Sequence, residues 1–157
     1  MRQYTNSEMI DKYGTPNQAG TYLAYAKIPF PLVIAWDHSQ TVSRIRCHKL
    51  EVVNVEAIFS DILKAYGLEK IKALGIDLFG GCFNYRAMRG GSSWSRHAWG
   101  TAIDLDPARN QLHQQGDSAQ FAKKEYSKML DIFEAHGWLS LGRLKNYDYM
   151  HVEAGKK

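Results

Sequence analysis

Two short stretches of this chain combine histidine and aspartate at spacings that suit a metal ion. His97 precedes Asp104 by seven positions, and Asp148 precedes His151 by three. Two imidazoles and one carboxylate give zinc three protein ligands and leave the fourth tetrahedral position for a water, which is the pattern of a catalytic zinc site. The sequence therefore predicts one Zn2+ ion on His97, Asp104 and His151, with Asp148 as the general base that takes a proton from the water.

The spacing of the first pair restricts the local structure. Strand side chains alternate between the two faces of a sheet, so an odd offset would point His97 and Asp104 to opposite sides of an uninterrupted strand. Gly100 lies between them and can adopt a break at little cost. We expect His97 on a loop, a break at Gly100 and Asp104 on the strand that follows.

The spacing of the second pair, Asp148 and His151, predicts a turn. Three residues of extended strand span about 10 Å, whereas a turn brings such residues to within about 7 Å. We therefore expect Asp148 in a turn that Asn146 helps to form, with His151 at the start of a strand. Glu153 would then share the face of His151, either as a hydrogen-bond partner of that ligand or as a rival general base.

The elements that must position these residues indicate an α+β fold, with helices packed against a small antiparallel sheet. Ser7 is expected to cap a helix over Glu8 to Tyr13, and apolar periodicity predicts longer helices from His48 to Tyr66 and from about Ala119 to His136. Strand-like runs cover Tyr22 to Lys27, Leu32 to Trp36, Ile76 to Tyr85, Thr101 to Asp106 and Tyr149 to Glu153. We expect one domain over residues 1–157, with an N-terminal arm of roughly residues 1–42 that has no derivable function.

Composition limits the class of protein. The 157 residues are 45% hydrophobic and 23% charged, which suits a single globular core. The formal charge of +4 favours binding to an anionic surface such as a cell envelope but is too small to support nucleic-acid binding. Nothing in the sequence requires an oligomer, so we expect a monomer. The longest apolar run is too short for membrane insertion, and the N-terminus lacks the apolar region of a secretory signal, which predicts synthesis in the cytoplasm. Cys47 and Cys82 are expected to be buried free thiols.

The combined motifs resemble a known family. Ser95-x-His97, Gly100, Ala102 and Asp104, followed by Asp148-x-x-His151, are similar to the pattern of zinc D-alanyl-D-alanine carboxypeptidases and L-alanyl-D-glutamate endopeptidases, which cut peptidoglycan stem peptides. The resemblance extends over roughly residues 46–153 and looks most like bacteriophage endolysins of the endopeptidase kind. It implies the zinc D-Ala-D-Ala peptidase or hedgehog-like fold, the zinc ligands given above and Asp148 as general base.

The resemblance also implies roles for neighbouring side chains. Arg86 matches an arginine that stabilises the developing oxyanion or holds a substrate carboxylate, and Arg89 is an alternative for the same role. Ser95, which matches the family pattern, is a candidate support of the site. Independently of the resemblance, the aromatic residues Tyr85, Trp94 and Trp99 are candidate walls of the substrate pocket. An endolysin would remain in the host cytoplasm until the membrane is opened and would then act on the cell wall. A D-alanyl-D-alanine carboxypeptidase and a non-catalytic, metal-containing cell-wall binding module remain alternatives.

Overall fold

The computed structural model describes residues 1–88 and 93–157, and these residues form a six-stranded sheet with five α-helices. The strands are β1 (Leu23–Ile34), β2 (Asp37–His48), β3 (Leu78–Gly81), β4 (Ala102–Leu105), β5 (Trp138–Ser140) and β6 (His151–Ala154). The helices are α1 (Asn6–Tyr13), α2 (Val52–Tyr66), α3 (Leu68–Leu74), α4 (Ser127–Ala135) and α5 (Leu141–Lys145). The α+β class predicted from the sequence is confirmed.

The sheet is mixed rather than antiparallel throughout. Its order is β2-β1-β3-β4-β6-β5, and β1 pairs with β3 in parallel while the other neighbours are antiparallel. A parallel pair needs a long crossover connection, and here β2, α2 and α3 provide it. The expectation of a purely antiparallel sheet was wrong because β2, which makes this crossover possible, was not predicted.

One face of the sheet is covered by helices, and the other face carries the candidate ligands. Phe59 of α2 and Phe133 of α4 are fully buried and meet edge to face at 6.0 Å. Ile103 of β4 pairs with Val152 of β6, and both side chains are buried in the same core. Because strand side chains alternate, the next pair in the register, Asp104 and His151, points to the opposite face.

The expected arm is a structural part of the sheet. Residues before 43 form α1, β1 and half of β2, and β1 lies between β2 and β3. The two predicted runs, Tyr22 to Lys27 and Leu32 to Trp36, belong to one strand. Pro29 and Pro31 fit within it because they lie where the pairing register shifts, between Lys27 and Leu32, so that no ladder hydrogen bond is required of them.

Three helix starts differ from the sequence-based expectation, and α2 begins at Val52 rather than His48, after a 3-10 turn over Lys49–Glu51. Thr5 caps α1 instead of Ser7, because Thr5 and Glu8 form a reciprocal capping box. The helix predicted from Ala119 begins only at Ser127, after two 3-10 turns. Lys123 has an extended backbone, with φ −70° and ψ 152°, which prevents one continuous helix. The backbone N–H of Phe121 donates to the side chain of Asn110 at 2.7 Å.

The cysteines agree with the sequence-based expectation. Cys47 and Cys82 are free and buried. Burial raises the pKa of the Cys47 thiol to about 12, so it remains protonated at neutral pH. Among the helices of the described residues, none has both the length and the apolar character needed to cross a membrane.

Candidate metal centre

His97 is held at the start of a tight turn, and the turn ends at Gly100. The hydroxyl of Ser95 accepts the backbone N–H of His97 at 3.2 Å, which caps the 3-10 turn Arg96–Trp99. Gly100 has a φ of 71° in the left-handed region, after which β4 begins at Ala102. The structure thus confirms the predicted break at Gly100 and supports Ser95 as a residue that fixes the backbone of His97.

His151 and Asp148 are connected by a second turn. Asn146 ends α5 with a φ of 56°, and Asp148 also has a positive φ of 53°. The backbone N–H of His151 donates to the Asp148 carbonyl at 3.1 Å, and the N–H of Asp148 donates to the Leu112 carbonyl at 2.9 Å. The predicted turn before the strand is confirmed, and Leu112 anchors it to a distant loop.

The ligand atoms of His97, Asp104 and His151 all lie within 4.8 Å of one another. His97 Nε2 is 3.2 Å from Asp104 Oδ2, and His151 Nδ1 is 3.3 Å from Asp104 Oδ1. Zinc bonds of about 2.0–2.2 Å in a tetrahedron place neighbouring ligand atoms about 3.3–3.5 Å apart. The observed separations therefore fit a common zinc ion.

An unsatisfied atom supports the same interpretation. Asp104 Oδ1 is buried and has no hydrogen-bond partner. A buried carboxylate oxygen without a partner is costly, and a cation between the two imidazoles would remove this cost. The residues present fit zinc in both donor type and spacing.

The partners of the two imidazoles fix which nitrogen of each ring is free to bind a metal. His97 Nδ1 lies 2.7 Å from the Cys82 carbonyl, and His151 Nε2 lies 3.0 Å from Glu153 Oε1. A carbonyl and a carboxylate can only accept, so each of these nitrogens carries the proton. The other two nitrogens, His97 Nε2 and His151 Nδ1, face Asp104 and are therefore the ones available to a metal ion.

The electrostatic environment is suited to a cation. Burial opposes ionisation of Asp104, but the close approach of the His151 and His97 imidazoles leaves the pKa of its carboxyl well below the ordinary value. Burial also disfavours a charged His151, yet without a metal ion its contacts with Asp104 and Glu153 raise its pKa to about 10, and a bound cation would take the place of the extra proton. These carboxylates hold positive charge at the point where the three ligand atoms converge.

The three candidate ligands line a cavity of about 430 Å³, the catalytic cavity, which is also lined by the predicted base and the predicted arginine. Asp148 and Arg86 both line this catalytic cavity. Arg86 precedes an antiparallel bridge between Ala87 and Trp94, and the Met88 N–H donates to the Ser93 carbonyl at 2.7 Å. The cavity therefore brings together a carboxylate, a guanidinium and the ligand cluster from three separate parts of the chain.

The remaining predicted residues have different environments. Trp99 is fully buried and donates its indole N–H to the Gly14 carbonyl at 2.6 Å, so the expectation that it forms a wall of the pocket was wrong. Tyr85 is 39% exposed, and its substrate contact stays a prediction. Arg89 lies outside the described residues. Glu153 is 1% exposed and lies behind His151, which favours the partner role over that of a rival base.

Several lining residues were not anticipated. Gln3, Tyr4, Arg96, His113 and Lys145 also line the catalytic cavity. Arg96 lies inside the first motif, but nothing in the sequence indicates its contact with Glu153. Gln3 lies 150 positions before Glu153, so no local pattern could connect the two.

A family model matches the part of the chain that holds the candidate ligands. A family model described as D-alanyl-D-alanine carboxypeptidase matches residues 89–154. The matched segment includes His97, Asp104, Asp148 and His151, while Arg86 precedes it. No curated protein matches the chain at a significant level.

Proposed function

We propose that this protein, whose residues 89–154 match a family model described as D-alanyl-D-alanine carboxypeptidase, is a zinc metallopeptidase. The bond that it cuts is proposed to be the L-alanyl-D-glutamate bond of peptidoglycan stem peptides. We further propose that it acts as a phage endolysin, released from the host cytoplasm onto the cell wall. The observation that carries the proposal is the convergence of His97, Asp104 and His151 in one cavity with Asp148 and Arg86.

The side chains of this cavity match the steps of peptide hydrolysis. Zinc, when bound there, would act as a Lewis acid toward the peptide carbonyl and would lower the pKa of a water. Asp148 accepts the proton of the attacking water and passes it to the leaving amine. Arg86 donates hydrogen bonds to the oxyanion or to a substrate carboxylate, for which a planar guanidinium is better suited than an ammonium group.

The space around the site supports cleavage within a peptide. A second cavity of about 620 Å³ adjoins the catalytic cavity, and both are lined by Leu112, His113 and Met150. An endopeptidase must accommodate substrate residues on both sides of the bond that it cuts. Two adjoining cavities offer this space, whereas removal of one terminal residue needs room mainly on one side.

The charges of the cavity support an acidic substrate. Arg86 and Lys145 line it together with the catalytic carboxylate. Stem peptides carry free carboxyl groups, and these cations could bind them while the metal site binds the reacting carbonyl. The net charge of +4 also favours approach to an anionic wall.

Purified sacculi provide the direct test. The zinc-loaded protein should release soluble muropeptides with newly exposed glutamate amino groups, identified by mass spectrometry, and a chelator should stop the release. Asp148→Asn should retain zinc and lose about 10²–10⁴-fold in turnover, as expected for a lost general base. Asp11→Asn, the same change on an exposed residue of α1, is the control. Sacculi that stay intact, or an active Asp148→Asn variant, would contradict the proposal.

The matched family description favours a second candidate. A D-alanyl-D-alanine carboxypeptidase would use the same ligands and the same base but would release only terminal D-alanine. The two activities give different products from one digestion. Free D-alanine without new glutamate amino groups would select the carboxypeptidase and exclude the endopeptidase.

A further inference from the structure

The N-terminal segment Arg2–Asn6 passes directly behind the metal centre. Arg2 and Lys156 exchange backbone hydrogen bonds, each 2.8 Å long, so the two ends of the chain are paired. Gln3 and Tyr4 line the catalytic cavity. This segment is therefore placed to act on the site, although the sequence assigned it no role.

Gln3 reaches the residue that orients a candidate ligand. Its side-chain amide donates to Glu153 Oε1 at 3.1 Å. The same oxygen accepts from His151 Nε2 at 3.0 Å. Glu153 is thus held between the N-terminal segment and the imidazole, and its position determines the direction of His151 Nδ1.

Arg96 holds the other side of the same carboxylate. Its Nε lies 3.8 Å from Glu153 Oε2, and both atoms are buried without a hydrogen-bond partner. The remaining guanidinium donors bind the N-terminal segment, with Nη2 on the Tyr4 carbonyl at 2.7 Å and Nη1 on Asn6 Oδ1 at 2.8 Å. Arg96 therefore connects the N-terminal segment with Glu153, and its positive charge balances the negative charge of the Glu153 carboxylate.

We propose that Gln3 and Arg96 act through Glu153 as positioning residues, and that the N-terminal segment Arg2–Asn6 thereby controls the affinity of the site for its metal ion. None of these residues contacts the reacting atoms. Their effect is to keep the imidazole of His151 in the orientation and tautomer that bind a cation. The inference rests on the zinc site of the proposed function and is independent of which peptide bond is cut.

Zinc affinity of the full-length protein, measured by competition with a chelator at constant pH, tests this proposal without any cell-wall substrate. Glu153→Ala should raise the zinc dissociation constant about 10–100-fold, the usual effect of removing the partner of a ligating histidine. Gln3→Ala should raise it about 10-fold, at the lower end of that range, because Arg96 still holds the carboxylate. Glu153→Gln should fall between wild type and Glu153→Ala, since its amide oxygen can still accept from His151.

Gln40→Ala is the matched control, because Gln40 also donates one side-chain hydrogen bond, to Asp37 at 2.7 Å, on the β1–β2 hairpin. It should leave zinc affinity unchanged. The visible spectrum of the cobalt-substituted protein gives a second readout, which should change with Gln3→Ala and not with Gln40→Ala.

The outcomes separate this proposal from the proposed function. Equal zinc affinities for Gln3→Ala, Gln40→Ala and wild type would overturn the positioning role, even if the enzyme hydrolyses sacculi. If Glu153→Ala fails to fold, the zinc affinity of Gln3→Ala still tests the positioning role, because this substitution leaves no buried charge unpaired. If the variants bind zinc in the expected order but the protein leaves sacculi intact, the positioning role is retained and the proposed endopeptidase is refuted.

Discussion

Gly100→Ala is the substitution whose effect can be worked out most fully from the structure. Gly100 has a φ of 71° and ends the turn that presents His97. A Cβ at this position would lie 2.5 Å from Leu23 Cδ2 and 2.8 Å from the backbone nitrogen of His48. The leucine side chain can move, but the backbone of His48 is fixed by its own hydrogen bond to the Gly100 carbonyl at 2.9 Å.

Two costs add in this variant. A left-handed conformation costs an L-residue about 1–2 kcal/mol. Overpacking a closed region costs about 1–3 kcal/mol more. The free energy of unfolding should therefore fall by about 2–5 kcal/mol, which is a large part of the stability of an ordinary domain. The melting temperature should fall by about 4–20 °C, at about 2–4 °C per kcal/mol for a chain of this size.

Urea denaturation of the metal-free protein measures this loss of stability. A second glycine, Gly137, allows the backbone cost to be measured separately from the cost of overpacking. Gly137 also has a positive φ, 84°, but its Cβ would meet nothing within 4 Å. Gly137→Ala should therefore show only the backbone cost of about 1–2 kcal/mol. Zinc affinity should fall in Gly100→Ala and not in Gly137→Ala, because only Gly100 connects His97 to β4. Equal losses of stability in the two variants would refute the steric argument.

Three further changes have defined outcomes. Arg86→Ala should lower kcat/KM on sacculi by about 10²–10³-fold, with Arg86→Lys restoring only part of it, and full activity of the alanine variant would remove Arg86 from the mechanism. Trp138→Phe should lower the free energy of unfolding by about 2–3 kcal/mol, because the buried indole donates to Glu51 Oε1 at 2.8 Å, and a loss below about 0.5 kcal/mol in urea titration would show that this bond is not important. Chelation of zinc should lower the melting temperature measured by calorimetry, since a ligand present at 100 times its dissociation constant stabilises by about 2.7 kcal/mol, and an unchanged temperature would argue against a metal site.

Local backbone chemistry explains why much of the site could be predicted. Glycine tolerates the left-handed region, so a break at Gly100 could be expected between two ligands at an odd offset. Asn146 tolerates the same region, and its position before Asp148 indicated a turn. In both cases the relevant preference belongs to one residue and its immediate neighbours.

Predictions failed where distant residues compete for the same groups. The helix expected from Ala119 begins at Ser127, because Lys123 is extended and the backbone of Gln120 and Phe121 is held by Arg109 and Asn110, eleven positions earlier. Trp99 was expected at the substrate pocket, but its indole finds an acceptor at Gly14, 85 positions earlier. Periodicity and composition contain no information about such partners.

The sequence by itself determined the donor types and the places where the chain can turn, because both depend on the chemistry of single side chains and short segments. Only the tertiary structure decided how the imidazoles are oriented. The Cys82 carbonyl and Glu153 select one nitrogen of each ring, and Gln3 and Arg96 hold Glu153 in place. These contacts join residues from both ends of the chain, and folding alone brings them within hydrogen-bonding distance.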